Sequence, residues 1–96
     1  MRIDWLDQAD QDMFHAVEWL KERNPAAAKR ITQLIYLQLK QLQQYPQLGR
    51  IGKIKDTREL VVHQTRYIAA YRVDFSKNTI EILALIHESQ QWPTEF

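Results

Sequence analysis

Apolar residues recur every three or four positions through the first half of the chain and in alternation through the second. Leu6, Ala9, Met13, Ala16, Val17 and Leu20 fall on one stripe at about 100° per residue, which predicts a helix over 7–22. Asp7, Asp10 and Asp12 at its start and Lys21 and Arg23 at its end suit the helix dipole, and Asp7 offers a side-chain acceptor for the first free amides. Asn24-Pro25 ends that helix and opens the next, because Asn caps well and Pro is preset for the first helical position. Ala27, Ala28, Ile31, Leu34, Ile35, Leu39, Leu42 and Tyr45 then share one face until Tyr45-Pro46 closes the segment. Two helices with almost no linker predict an antiparallel hairpin. Gln38 lies inside the apolar arc and is expected near an end of the contact; Leu37 and Tyr36 lie outside it.

The period changes at Gly49. Gly49 and Gly52 mark a turn or short edge strand, and Arg58–His63, Tyr67–Asp74 and Thr79–His87 are rich in β-branched and aromatic residues. The intervening segments 64–66 and 75–78 are hairpin-sized, predicting a meander. Leu60 and Val62, then Ile80, Ile82, Ala84 and Ile86, alternate as strands half-buried under helices do. Leu83 and Leu85 are apolar on the opposite parity, so the last strand reads as central and covered on both faces. With Arg2–Trp5 as a short strand-forming start, the fold class is α+β: a short N-terminal strand and an antiparallel helix hairpin packed on a three- to four-stranded antiparallel sheet.

Ninety-six residues, 45% hydrophobic and 26% charged, bound this to one ordinary globular domain over 1–96. No apolar run approaches the roughly 20 residues that cross a bilayer, and MRIDWLDQAD lacks the layout of a secretory signal, so the cytoplasm is the expected location and no membrane the expected partner. The absence of cysteine excludes disulfides and thiolate metal sites. Net charge is +1, unevenly spread: residues 47–77 hold seven Lys/Arg against three Asp/Glu, and residues 78–96 hold none against three. Such a basic middle suits a phosphate backbone or an acidic protein segment, and equally a solvated face.

His15, His63 and His87 follow no metal-ligand spacing, so neither metal nor cofactor is expected. His87 ends an apolar strand just before Trp92-Pro93, where imidazole can act as acid or base or can hydrogen-bond to the chain turn. Ser76 and Ser89 have no nucleophile elbow, and Gly49-x-x-Gly52-Lys53 lacks the strand-loop-helix context of a phosphate loop. The stronger signal is Arg58, Arg66 and Arg72 with Tyr67 and Tyr71 on adjacent strands, since guanidinium and aromatic faces suit phosphate, stacked bases or peptide carboxylates. Arg72 beside an acidic neighbour reads equally as a structural ion pair. The expected partner-binding set is Lys53, Lys55, Arg58, Arg66, Tyr71, Arg72, His87 and Trp92, with no catalytic residue.

Trp5-x-x-x-Ala9, Asn24-Pro25-x-Ala27, Pro46-x-x-Gly49-Arg50, Thr57-Arg58-Glu59-Leu60-Val61-Val62, Tyr67-Ile68-x-x-Tyr71-Arg72-Val73 and His87-x-x-x-x-Trp92-Pro93 occur in that order. Across essentially the whole chain they resemble the RelE/ParE toxin superfamily, nearer its ParE branch. The resemblance implies a type II toxin in a hetero-oligomer with a cognate antitoxin whose acidic, amphipathic C-terminal segment neutralises it. ParE-like members are regarded as DNA gyrase poisons; RelE-like members cut mRNA on the ribosome, so the fold alone does not choose. Cleavage of the RelE kind implies lysines and arginines on the central strands, where this chain has Glu59, Val61 and Ile68. The gyrase reading is therefore preferred. Ribosome-dependent endoribonuclease, with His63, Arg66, Arg72 or His87 in acid–base and charge roles, is the alternative, and a purely regulatory binding module the third. The resemblance also implies an arginine three residues after His87, where this chain has Gln90.

Overall fold

In a computed structural model, which describes residues 1–93, the element order is β1 (Arg2–Trp5), α1 (Asp7–Arg23), α2 (Pro25–Lys40), a 3₁₀ turn (Gln41–Gln43), β2 (Arg50–Ile51), β3 (Arg58–Val61), β4 (Tyr67–Asp74) and β5 (Thr79–His87). The strands form one sheet in the order β1-β5-β4-β3-β2. Pairing is antiparallel throughout except that β1 runs parallel to β5, with Arg2 opposite Thr79 and Trp5 opposite Ile82. The sheet is therefore five-stranded and mixed, wider than the meander expected from alternation alone. β1 and β2 are four and two residues long, too short to carry a period of their own.

Each helix begins and ends for a local reason. At the head of α2, the Asn24 side chain accepts a hydrogen bond from the Ala27 amide at 3.1 Å, the cap its sequence predicts. At the head of α1 the expectation is corrected: Leu6 is the cap residue, no side chain caps there, and Asp7 is already helical. α2 stops at Lys40, short of Tyr45-Pro46, because the chain tightens into the 3₁₀ turn that buries Leu42. Gln38, the polar residue in the apolar arc, donates to the His63 carbonyl (2.9 Å) and accepts from the His63 amide (2.6 Å), tying α2 to the β3–β4 turn.

The helices cover one face of the sheet. Ala9, Met13, Ala16 and Leu20 of α1 and Ala28, Ile35 and Leu39 of α2 pack on Leu60, Val62, Ala69, Tyr71, Ile80, Ile82 and Leu85. On the other face lies a small second cluster, Ala70, Ala84 and Ile86, with Trp92 packed against it. The alternation expected in β5 is corrected by a bulge. Ala70 pairs with Ala84 but Tyr71 pairs with Ile82, leaving Leu83 without an opposite residue. Ile80 and Ile82 therefore face the helices, whereas Ala84 and Ile86 face away and Leu85 takes their place in the core. One extra residue reversed the side of everything after it.

Candidate functional site: the open face of the sheet

The sequence-predicted residues do not share one face. Arg58 stands between Ile51 of the edge strand β2 and Tyr71 of β4, on the helix side. Tyr71 is fully buried, so its expected place on an exposed surface is corrected: its hydroxyl donates to the Pro46 carbonyl at 2.8 Å and accepts from the Gly49 amide at 2.9 Å. Burial raises its pKa, a rise opposed by the Gly49 hydrogen bond and by the Arg58 charge. Arg58 Nη1 donates to the Gly49 carbonyl at 2.8 Å. A side chain at position 49 would lie 2.7 Å from the Tyr71 ring and 2.9 Å from the Glu59 carbonyl, which explains the glycine. Pro46-x-x-Gly49, Arg58 and Tyr71 thus form a structural knot that anchors the chain returning from α2 to the sheet edge.

His87 also lies on the helix side. Its ring meets Tyr67 edge-on at 5.4 Å, and Nδ1 lies 2.8 Å from the Ser89 hydroxyl. Tyr67 is held above the ordinary phenol range by burial. Gln90, standing where the resemblance implies arginine, folds back: its Oε1 accepts the His87 amide at 2.8 Å and its own amide donates to the His87 carbonyl at 2.8 Å. Tyr67, His15, His87 and Ser89 line a cleft of about 430 Å³ beside Trp19 of α1. Lys53 and Lys55 are exposed in the β2–β3 loop, which the Gly52 amide closes on the Thr57 carbonyl at 2.9 Å.

Arg66, Arg72 and Trp92 fall on the sheet face away from the helices, the two arginines at opposite ends of it and Trp92 packed on Ala70, Ala84 and Ile86. There every arginine has an acidic partner. Arg72 Nε donates to Glu81 at 2.6 Å across β4–β5, Arg66 Nη1 to Glu88 at 2.7 Å, and Arg50 Nε and Nη2 to Glu59 at 3.1 and 3.0 Å across β2–β3. The ion-pair reading of Arg72 is the one observed. Sequence reasoning missed Arg50, Glu81 and Glu88 as members of this face; once the register is known, Arg72 opposite Glu81 and Arg50 opposite Glu59 are direct cross-strand neighbours. Between the ion pairs run Val61, Ile68 and Ile86, with Val61 49% exposed. The face presents hydrogen-bond donors around an apolar strip and no excess of positive charge among these six paired side chains. Among the described residues no three His, Asp or Glu side chains gather into a group that could hold a metal ion.

Residues 3–92 match the family model of the ParE toxin of type II toxin-antitoxin system, parDE. The chain belongs to the ParE toxin family. This ParE-family chain is 37% identical over 92 residues to the candidate toxin Y4kP of Sinorhizobium fredii (strain NBRC 101917 / NGR234), covering 96% of this chain and 93% of that protein. A chain of the chromosomal ParDE TA system from P. aeruginosa superposes with a TM-score of 0.81 at 26% identity, over 91% of this chain and 95% of that one. The isolated E. coli RelE toxin shares the fold more distantly, with a TM-score of 0.66 at 13% identity over 95% of this chain and 87% of that one. The ParE fold expected from the resemblance is thus the fold observed, with β1 and β2 widening the sheet. No helix among the described residues is long and apolar enough to cross a membrane.

Proposed function

We propose that this ParE-family toxin acts in the cytoplasm by binding DNA gyrase, without cutting RNA, and that a cognate antitoxin neutralises it in a hetero-oligomer. The observation that carries this reading is the self-neutralised open face. Acid–base cleavage of RNA needs groups that move protons beside the 2′-hydroxyl and cations that meet the charge developing on phosphorus. Here Arg50, Arg66 and Arg72 are each engaged by a glutamate, and Val61 and Ile68 occupy the rows between them. A phosphate arriving on this face meets carboxylates already holding the guanidinium groups.

The antitoxin has a separate and complementary place. Between α1 and α2 runs a groove of about 610 Å³ with Val17, Pro25 and Ala28 along it and Lys21 and Lys29 at its rim. An amphipathic acidic segment fits it, apolar anchors down and carboxylates toward the lysines. The test of the main reading is a supercoiling assay with purified gyrase and toxin. Inhibition that the antitoxin relieves is expected; supercoiling untouched at high molar excess of toxin overturns the reading.

One observation favours the ribosome-dependent endoribonuclease instead: the cleft where His15, Tyr67 and His87 converge. Primer extension on translated mRNA after induction separates the two, since cuts in phase with codons belong only to the nuclease.

A further inference from the structure

The open face is ordered in rows. Val61 pairs with Ile68 and Ile68 with Ile86, giving one apolar row across β3, β4 and β5. The next row is Glu59, Ala70 and Ala84, in which two alanines make a low floor against which Trp92 packs. Arg66–Glu88 closes one end of these rows and Arg72–Glu81 the other. In the Arg72 pair the carboxylate lies low and the guanidinium high, with side-chain exposures of 17% and 49%. Arg72 uses only Nε on Glu81 and Arg66 only Nη1 on Glu88, so among the described residues their other N–H donors point at no protein acceptor.

We propose that this face is where the toxin holds its protein target, and that the target sets an apolar side chain on the Val61–Ile68 row. Neutral backbone carbonyls around that side chain take the spare N–H groups of Arg66 and Arg72. This rests on the reading that the toxin works by binding gyrase. An apolar centre bordered by arginine donors is the anatomy of a protein–protein contact. A polyanion fits poorly, because its affinity comes from unpaired cations that neutralise its phosphates and release the counterions condensed on them, and these arginines are already paired. The acidic antitoxin segment is matched better by the helix groove, where Lys29 stands beside Lys21, itself only loosely paired with Glu18 at 3.7 Å.

The experiment inverts one ion pair without removing it. Arg72→Glu/Glu81→Arg keeps net charge and a cross-strand pair but presents the opposite pole outward, and Val61→Asp puts a charge at the half-exposed end of the apolar row, whose other end, Ile86, is buried. Both are compared with wild-type toxin for thermal melting, antitoxin affinity and inhibition of purified gyrase on relaxed plasmid. We expect unchanged melting and antitoxin affinity, with potency against gyrase lower by at least about tenfold in each variant. Two folded variants as potent as wild type overturn the inference and leave the gyrase reading standing. Antitoxin affinity falling in parallel assigns the face to the antitoxin and also overturns it. A wild-type chain that neither binds nor inhibits gyrase removes the underlying reading itself.

Discussion

Tyr71 and Arg72 are neighbours in the chain and stand on opposite faces of the same strand. Tyr71 is sealed among Pro46, Gly49 and the core, both hydrogen-bonding roles of its hydroxyl filled by backbone groups. Arg72 reaches outward and is held by one glutamate at a half-exposed surface. The difference shows how the sheet divides its work. The helix side holds the fold by burying hydrocarbon and one satisfied hydroxyl, whereas the open side carries polar groups whose loss costs the fold little and leaves recognition to suffer.

The comparison breaks most sharply where burial is deepest. Ile82→Ala removes a fully buried side chain beneath the helices and should destabilise the protein by about 2–5 kcal/mol in urea unfolding. Tyr71→Phe keeps the ring but strands the Gly49 amide, and we expect a loss of about 1–3 kcal/mol by the same measurement. It should also blunt the alkaline limb of stability. The folded pKa of Tyr71 is raised, so its contribution is intact below the unfolded value of about 10 and is lost as pH rises through the folded one. Asn24→Ala, which removes the α2 cap, should cost about 1 kcal/mol in thermal unfolding. Arg72→Ala on the open face should cost only about 0–1 kcal/mol, because the pair is half in water. A drop as large as that of Tyr71→Phe would erase the division between the faces. The smallest effect is expected at Asp74. Hydrogen bonds from the Ser76 hydroxyl and the Lys77 amide hold its pKa below the usual carboxylate value. Asp74→Asn should therefore remove a small stabilisation that is present above the unfolded pKa and fades as pH falls through the folded one, visible as a shallower acid limb.

Both helices were legible in the sequence because a period near 3.6 is written in many residues at once, and Asn24-Pro25 marked their junction to the residue. The sheet was legible as strands but not as faces. Leu83 carries no mark of a bulge, yet its insertion moves Ala84 and Ile86 out of the core and Leu85 into it. Tyr71 was misplaced for a related reason: a tyrosine between Ala70 and Arg72 looks amphipathic, and only the approach of Gly49 from a distant turn reveals a buried slot that its hydroxyl can satisfy. The arginines were readily noticed, and an ion pair at Arg72 was one of the two readings open, but the partners themselves were hidden. Glu81 and Glu88 lie in a different segment and meet Arg72 and Arg66 only when the β4–β5 register is set.

β5 is flanked by β4 on one edge and by β1 on the other, and among the described strands β1 is made first and β5 last. Until the ribosome has translated Thr79 to Ile82, Arg2 to Trp5 have no ladder to join, and the α1–α2 layer rests on half a floor. The sheet therefore joins its earliest and latest described strands side by side, so the ladder that completes the floor under the helices forms late in folding whatever the order in which the helices form.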